Sequence, residues 1–314
     1  MSQLTRTTGK YISKNFYLFG TYENTIVVNK SQEVIMKIAT PFSIGTIAVN
    51  NKQLLIATGF FSLNPKEQPD YLPIFKLSSE GKLETNYFNR VEINSSVCGL
   101  QWASDNLLVA CLRNSLVFFD TETNEQTYFS LYRDQAIELK VYSNKLFVLY
   151  TDGSIDIYSI SNTEGLISIN KINSLPSTEE LIREENIALE IENEPYLSSV
   201  MDISSNVILR GDNNGYIYLY PYLTSGDGIE IGEGLVSFIS DKEITTIKSV
   251  SGTGKFLITD ANGIIYLFDP LEIIPTVISE EYFIVNDIDL RLDNNQYEML
   301  LTHNNGFRVR ELIF

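Results

Sequence analysis

The chain has 314 residues, 44% of them hydrophobic, so it can bury an apolar core of ordinary density. It carries 40 acidic and 23 basic residues, which gives a formal net charge of −17 at pH 7. A phosphate backbone or an anionic membrane surface repels so acidic a chain, and no cluster of lysines and arginines offsets the repulsion, so we expect no direct nucleic-acid binding.

The first residues bear on localisation. The opening stretch "MSQLTRTTGKYISKNF" lacks the hydrophobic segment of a signal peptide. No apolar run in the chain approaches the roughly 18 residues of a membrane span. We therefore expect a soluble intracellular protein, in the cytoplasm or the nucleus, with no membrane insertion.

A tight turn followed by an apolar strand recurs along the chain. Each copy has a turn built from Asn, Gly or Asp, which accept the positive φ of a hairpin turn. The copies occupy residues 23–30, 113–121, 152–160, 214–222, 262–270 and 305–313. Counted from Asn24, Asn114, Gly153, Gly215, Gly263 and Gly306, the intervals are 90, 39, 62, 48 and 43 residues. The first interval holds two units, so the period is about 40 to 45 residues, which is typical of β-propeller blades.

Each unit except the last can be divided into four strands. In the clearest unit they are residues 97–103, 106–112, 115–121 and 125–131. In the least regular unit a longer loop with Pro65, Pro69 and Pro73 replaces the tight turn. Helical periodicity is nearly absent, and strand-favouring residues dominate. We predict an all-β fold in which residues 1–314 form one seven-bladed β-propeller domain. Six or eight blades are the alternatives, because the first two units are irregular.

The ends of the third strands resemble the WD-repeat β-propeller family in a degenerate form. Phe119-Asp120 and Phe268-Asp269 stand where that family has Trp-Asp, and the likeness covers most of residues 10–314. Other residues occupy the same place in three units: Tyr158-Ser159, Tyr220-Pro221 and Asn29-Lys30. The family's Gly-His dipeptide is missing, and His303 is the single histidine. The resemblance therefore implies blades without the family's buried hydrogen-bond tetrad, held by apolar packing and sheet hydrogen bonds.

The last unit offers three strands, so something must complete it. In the WD-repeat family an N-terminal strand usually does so, and residues 2–8 could play that part here. The alternative is a strand supplied by a partner protein through β-augmentation.

No catalytic, metal or cofactor motif stands out. Cys98 and Cys111 lie in apolar strands and are expected to be buried, unreactive thiols. His303 precedes a turn without a nucleophile motif beside it. The glycine-rich segment 251–259 lacks phosphate-loop spacing and predicts an inter-strand turn. Residues 226–234 lack calcium-loop spacing and are expected to form a flexible acidic loop. The alternative is that residues 226–234 and 235–241 supply the outer strand of their unit.

The longest interval between two tight turns contains an acidic insertion at about residues 174–200. Ser177 or Thr178 can cap a short helix there, with glutamates in its first turn. The insertion is either a solvated loop or a docking element for a basic partner, in which charge speeds encounter and apolar residues add affinity. The candidate contact residues are Glu179, Glu180, Leu181, Glu184, Glu185, Ile187, Leu189 and Glu190.

The strand "YIYLYPYL" adds two further candidates. Alternation should bury most of its tyrosines between blades. Tyr220 and Tyr222, at the end of the strand, are the rings that we would expect at a binding rim, since tyrosine is enriched in interface hot spots.

The predicted function is a non-catalytic protein–protein interaction scaffold, a subunit or adaptor of a larger intracellular complex. This is what the WD-repeat resemblance implies, and fold by itself does not establish it. The enzymatic alternative is a propeller hydrolase with carboxylates around a central pocket. An adaptor that recognises a short linear peptide is a further interpretation.

Overall fold

The computed structural model describes residues 8–13, 15–21, 24–62, 64, 66–78, 83–133, 135–163, 166–184, 197–226, 228–293, 296–304 and 306–312. The protein is all-β, with seven small antiparallel sheets that form a seven-bladed β-propeller. The predicted fold class and blade count are therefore confirmed. Within the described ranges, no helix is long and apolar enough to cross a bilayer.

The first three blades have four strands each. Blade one contains β1 (Thr8–Ser13), β2 (Phe16–Gly20), β3 (Asn24–Asn29) and β4 (Val34–Ala39). Blade two contains β5 (Ser43–Asn50), β6 (Leu55–Phe61), β7 (Tyr71–Leu77) and β8 (Leu83–Glu92). Blade three contains β9 (Val97–Trp102), β10 (Leu107–Leu112), β11 (Ser115–Asp120) and β12 (Gln126–Ser130).

The remaining blades are less uniform. Blade four contains β13 (Ala136–Tyr142), β14 (Lys145–Tyr150), β15 (Ile155–Thr163) and β16 (Leu166–Leu175), followed by α1 (Thr178–Glu184). Blade five contains β17 (Ser198–Ile203), β18 (Val207–Asp212), β19 (Tyr216–Ser225), β20 (Gly228–Ile231) and β21 (Leu235–Phe238). Blade six contains β22 (Ile244–Ser249), β23 (Phe256–Asp260), β24 (Ile264–Phe268) and β25 (Pro275–Glu280). Blade seven contains β26 (Asp287–Asp293), β27 (Gln296–His303) and β28 (Gly306–Leu312).

The blades belong to two compact units. Residues 1–134 and 286–314 form one unit, with blades one, two, three and seven, and residues 135–285 form the other, with blades four, five and six. In both units the second strand of a blade is the most buried, as in β10 and β14, where every residue is buried. Strands covered on both faces are largely apolar, whereas outer strands such as β4 and β12 are largely exposed and mixed.

Three tight turns have the predicted backbone. Gly153, Gly215 and Gly263 have φ of +85°, +83° and +83°. A Cβ at Gly215 would overlap the backbone of Ser240, so glycine is needed for space as well as for φ. The predicted turn in residues 251–259 also forms, since it joins β22 to β23.

Blade five corrects one expectation. The strand β19 is ten residues long and pairs twice, with β21 through residues 216–219 and with β20 through residues 222–225. Residues 228–231, expected to lie in a flexible acidic loop, therefore form a strand. The glycines obscured this strand in the sequence, because Gly228 begins it, Gly232 follows it, and it has only four residues.

Blade one packs directly against blade seven within the first unit. The Tyr11 N–H donates a hydrogen bond to Asp289 Oδ2 at 3.0 Å, and the Phe19 and Phe307 rings stack with centroids 4.1 Å apart. Blade seven shows three strands in the described part of the chain. Of the segment 2–8 expected to complete it, Thr8 begins β1, and the others lie outside the described residues.

Candidate interaction surface

The acidic insertion begins with a capped helix. The Glu180 N–H donates to Ser177 Oγ at 3.2 Å, and the Ser177 N–H donates to Glu180 Oε2 at 2.8 Å. This reciprocal pair is a capping box, which satisfies two backbone donors at the helix start. The prediction of a helix capped at Ser177 or Thr178 is thus confirmed, with Ser177 as the cap.

Both ends of the insertion are attached to one turn of blade four. The Thr178 N–H donates to Asp152 O at 3.0 Å, and the Ser198 N–H donates to Thr151 O at 3.0 Å. The residues that begin α1 and β17 are therefore held at adjacent positions of the same turn.

The structure divides the candidate residues of the insertion. The side chains of Glu179 and Glu180 are exposed, whereas Leu181 is buried in the hydrophobic cluster between blades four and five. Glu184 ends α1. The other four candidates lie outside the described residues: Glu185, Ile187, Leu189 and Glu190. Leu181 therefore anchors the helix and is not a contact residue, which corrects its assignment.

Tyr220 and Tyr222 are not at a rim. Each is 2% exposed. The Tyr220 hydroxyl accepts a hydrogen bond from Arg210 Nη2 at 3.1 Å, and the Tyr222 hydroxyl donates to Ser204 O at 2.6 Å. The rim assignment fails because Pro221 does not end the strand: β19 continues to Ser225 and carries both rings into the interior.

Arg210 is a structural residue that the sequence reading missed. It is fully buried in β18, donates through Nη1 to Gly153 O, and lies over the Tyr218 ring with 4.3 Å from its Cζ to the ring centroid. It thereby ties the blade-four turn to blade five. The available signal was a cation directly after the apolar residues 207–209 of a strand, because a buried charge needs partners.

Buried carboxylates organise the turns of blades five and six. Asp212 Oδ1 accepts the N–H groups of Asn214 (2.9 Å) and Tyr216 (3.0 Å), and Oδ2 accepts the Tyr218 hydroxyl at 2.8 Å. Asp260 repeats the arrangement with the N–H groups of Asn262 and Ile264 and the hydroxyl of Tyr266 at 3.0 Å. Ser240 Oγ also donates to Asp260, at 2.6 Å.

Blade four contains the same tyrosine–aspartate hydrogen bond, but here the tyrosine lies in the second strand and the aspartate in the third. Tyr150 lies three residues before Gly153, and Asp156 lies three residues after it. The Tyr150 hydroxyl donates to Asp156 Oδ2 at 3.2 Å, and Lys171 Nζ pairs with Asp156 Oδ1 at 2.7 Å. The expectation that the blades rely on apolar packing and sheet hydrogen bonds alone is therefore wrong. The repeated sequences "DNNGYIY" and "DANGIIY" indicated this arrangement, because each places an aspartate and a tyrosine on either side of a tight turn.

Two buried carboxylates have pKa shifts in opposite directions. Burial raises the pKa of Asp212 above its usual value, although hydrogen bonds from Tyr218 and two backbone N–H groups oppose the shift. Burial would also raise the pKa of Asp202, but Lys140, Lys248 and the Ser249 N–H outweigh it, so that the pKa is lowered. Asp202 Oδ2 accepts the Ser249 N–H of the next inner strand at 2.6 Å.

These groups do not form a catalytic constellation. Asp156, Asp212 and Asp260 each belong to a different blade and are held by that blade's own partners or its adjoining loop. Cys111 is buried, and a hydrogen bond with Cys98 together with burial raises the pKa of its thiol; Cys98 itself is only partly buried. In the described ranges, no group of three or more His, Cys, Asp or Glu side chains could hold a metal ion. The hydrolase alternative is not favoured.

Comparison with known protein families and with curated proteins finds neither a matching family model nor a matching protein. What the sequence and the geometry together establish is a seven-bladed β-propeller.

Proposed function

We propose that the protein is a non-catalytic interaction scaffold, a subunit or adaptor of an intracellular multiprotein complex, and that it is a degenerate relative of the WD-repeat propellers. The observation that carries the proposal is the construction of the acidic insertion. Its base is fixed by Ser177, Thr178, Leu181 and Ser198, while Glu179 and Glu180 face solvent.

The insertion suits a basic partner. Between Glu179 and Glu194 the sequence has seven glutamates and one arginine, a local charge of −6. A concentrated charge of one sign speeds the encounter with a segment of the opposite sign and disfavours acidic competitors. A helix start held by a capping box positions its glutamates with little loss of conformational freedom on binding.

The tight turns of blades five and six are the basis for the proposed relationship to the WD-repeat family. The buried carboxylates of Asp212 and Asp260 each cap such a turn and accept a hydrogen bond from a hydroxyl of the third strand. With Tyr218 in blade five and Tyr266 in blade six, these two blades have a buried polar network although the sequence lacks the Gly-His dipeptide. The blades thus combine the strand order of the family with a different set of hydrogen-bonding side chains.

The proposal is tested by affinity purification from the native cell. The bait is the intact chain, and the comparison is a variant in which residues 185–194 are replaced by a Gly-Ser linker, which leaves Leu181 and Ser198 in place. We expect the intact chain to retain defined proteins in constant proportion and the variant to lose at least one of them. Equal recovery of the same proteins would refute the docking role of the insertion.

A further inference from the structure

The outer edge of blade six exposes large apolar side chains. Leu271 is 92% and Ile274 70% exposed in the turn between β24 and β25, and Val277 in β25 is 52% exposed. Tyr282, just after β25, is fully exposed. Apolar side chains scattered singly are normal on a protein surface, but four along one short stretch of edge indicate a contact surface. We call these four residues the blade-six edge.

The turn that displays Leu271 and Ile274 is fixed. The Leu271 N–H donates to Asp269 Oδ1 at 3.0 Å, the Ile273 N–H donates to Asp269 O at 2.9 Å, and Lys255 Nζ pairs with Asp269 at 3.2 Å. Ile273 has φ of +60°, which is strongly disfavoured for a β-branched residue. Such strain persists where the surrounding structure imposes it, and it often accompanies functional surfaces.

The charge around this edge selects the kind of partner. The sequence between Lys255 and Arg291 contains no lysine, arginine or histidine. Glu272 and Glu280, which flank the apolar side chains, are exposed. A partner segment with lysines or arginines beside apolar residues is complementary to this surface. A second copy of the chain is not, because it would place two acidic edges together at a net charge of −17 each.

We propose that the blade-six edge is a docking surface for a basic segment of another protein, whose apolar side chains cover Leu271 and Ile274. The inference rests on the proposed scaffold function and adds a second surface with a defined partner chemistry. It does not use the acidic insertion, which follows blade four.

A displayed library of random segments of about 15 residues tests the proposal, since segments of that size bind protein grooves and sheet edges. The purified full chain is the target, and the double variant L271S/I274S is used for counter-selection. The matched control is L166S/L223S, which changes two leucines that are 79% and 69% exposed in other blades. We expect selected segments to be rich in lysine or arginine and in apolar residues. Their affinity should fall at least about tenfold for L271S/I274S and remain unchanged for the control.

The inference would be overturned by selected segments without basic residues, by equal affinity for L271S/I274S, or by sedimentation showing a homodimer that this variant abolishes. The variant lacking residues 185–194 is measured in parallel. Unchanged binding of the selected segments by that variant confirms that the blade-six edge acts separately, and loss of binding contradicts the assignment to that edge. The scaffold proposal is judged by its own purification experiment, so the two can fail independently.

Discussion

Gly153 in the blade-four turn lies directly beneath Arg210 of blade five, and its carbonyl oxygen accepts a hydrogen bond from Arg210 Nη1. A Cβ at Gly153 would overlap that nitrogen and would crowd Thr178 Oγ1 and Ser198 Oγ. One glycine therefore serves the turn, the buried arginine and both ends of the acidic insertion.

A comparison of alanine substitutions at Gly153 and Gly252 separates the cost of steric overlap from the cost of a left-handed backbone. Gly252 also has a positive φ, +77°, but has open space where its Cβ would lie. Gly252→Ala should lower the free energy of unfolding by about 1–2 kcal/mol, because alanine disfavours the left-handed backbone conformation. Gly153→Ala should cost several kcal/mol more, because Arg210 must also move. Urea unfolding of both variants measures the difference, and equal losses would show that Arg210 does not occupy the space above Gly153.

The buried hydroxyl of Tyr266 should contribute to stability. Tyr266→Phe leaves Asp260 without one of its donors, which should cost about 1–3 kcal/mol. The control is Tyr282→Phe, which removes the hydroxyl of a fully exposed ring and should change little. Thermal unfolding checks both variants. If Tyr266→Phe were as stable as the control, the tyrosine–aspartate pair would have no structural role.

Asp202 should make stability depend on pH. Its pKa is lowered in the folded state, so its contribution is present above the unfolded pKa of about 4 and is lost as the pH falls through the folded pKa. Asp202→Asn should therefore destabilise the protein at pH 7, and the destabilisation should become smaller as the pH falls below about 4. Denaturant titrations of both proteins at neutral and at acidic pH provide the test. A loss that is independent of pH would contradict the pairing with Lys140 and Lys248.

Leu181 should belong to the core rather than to a binding surface. Leu181→Ala, at a residue 4% exposed, should cost about 2–4 kcal/mol, whereas Leu166→Ala, at a residue 79% exposed, should cost little. Chemical denaturation distinguishes the two. A neutral Leu181→Ala would mean that α1 is not packed on the blades.

The sequence predicted the fold well because each propeller blade is formed by a continuous segment, whose turns and strands can be recognised from neighbouring residues. Turn glycines such as Gly215 and Gly263 recur at blade spacing, and strand periodicity lies between them. It predicted the buried side chains less well. Tyr220 and Leu181 were assigned to a surface because a single strand or helix does not reveal which neighbour covers it. Arg210 and Asp260 were missed as structural groups, since their partners lie in other strands or blades.

We propose that glutamates of the insertion recruit a basic partner. The test is the dissociation constant of the purified partner for the intact chain and for E179K/E190K, which leaves Glu180 in its capping box with Ser177. A control with the same change of net charge, E67K/E125K, alters exposed residues of other blades. We expect a dissociation constant at least about tenfold weaker for E179K/E190K, near the intact value for the control, and rising with salt. Equal affinities for both variants, or binding insensitive to salt, would contradict the proposal.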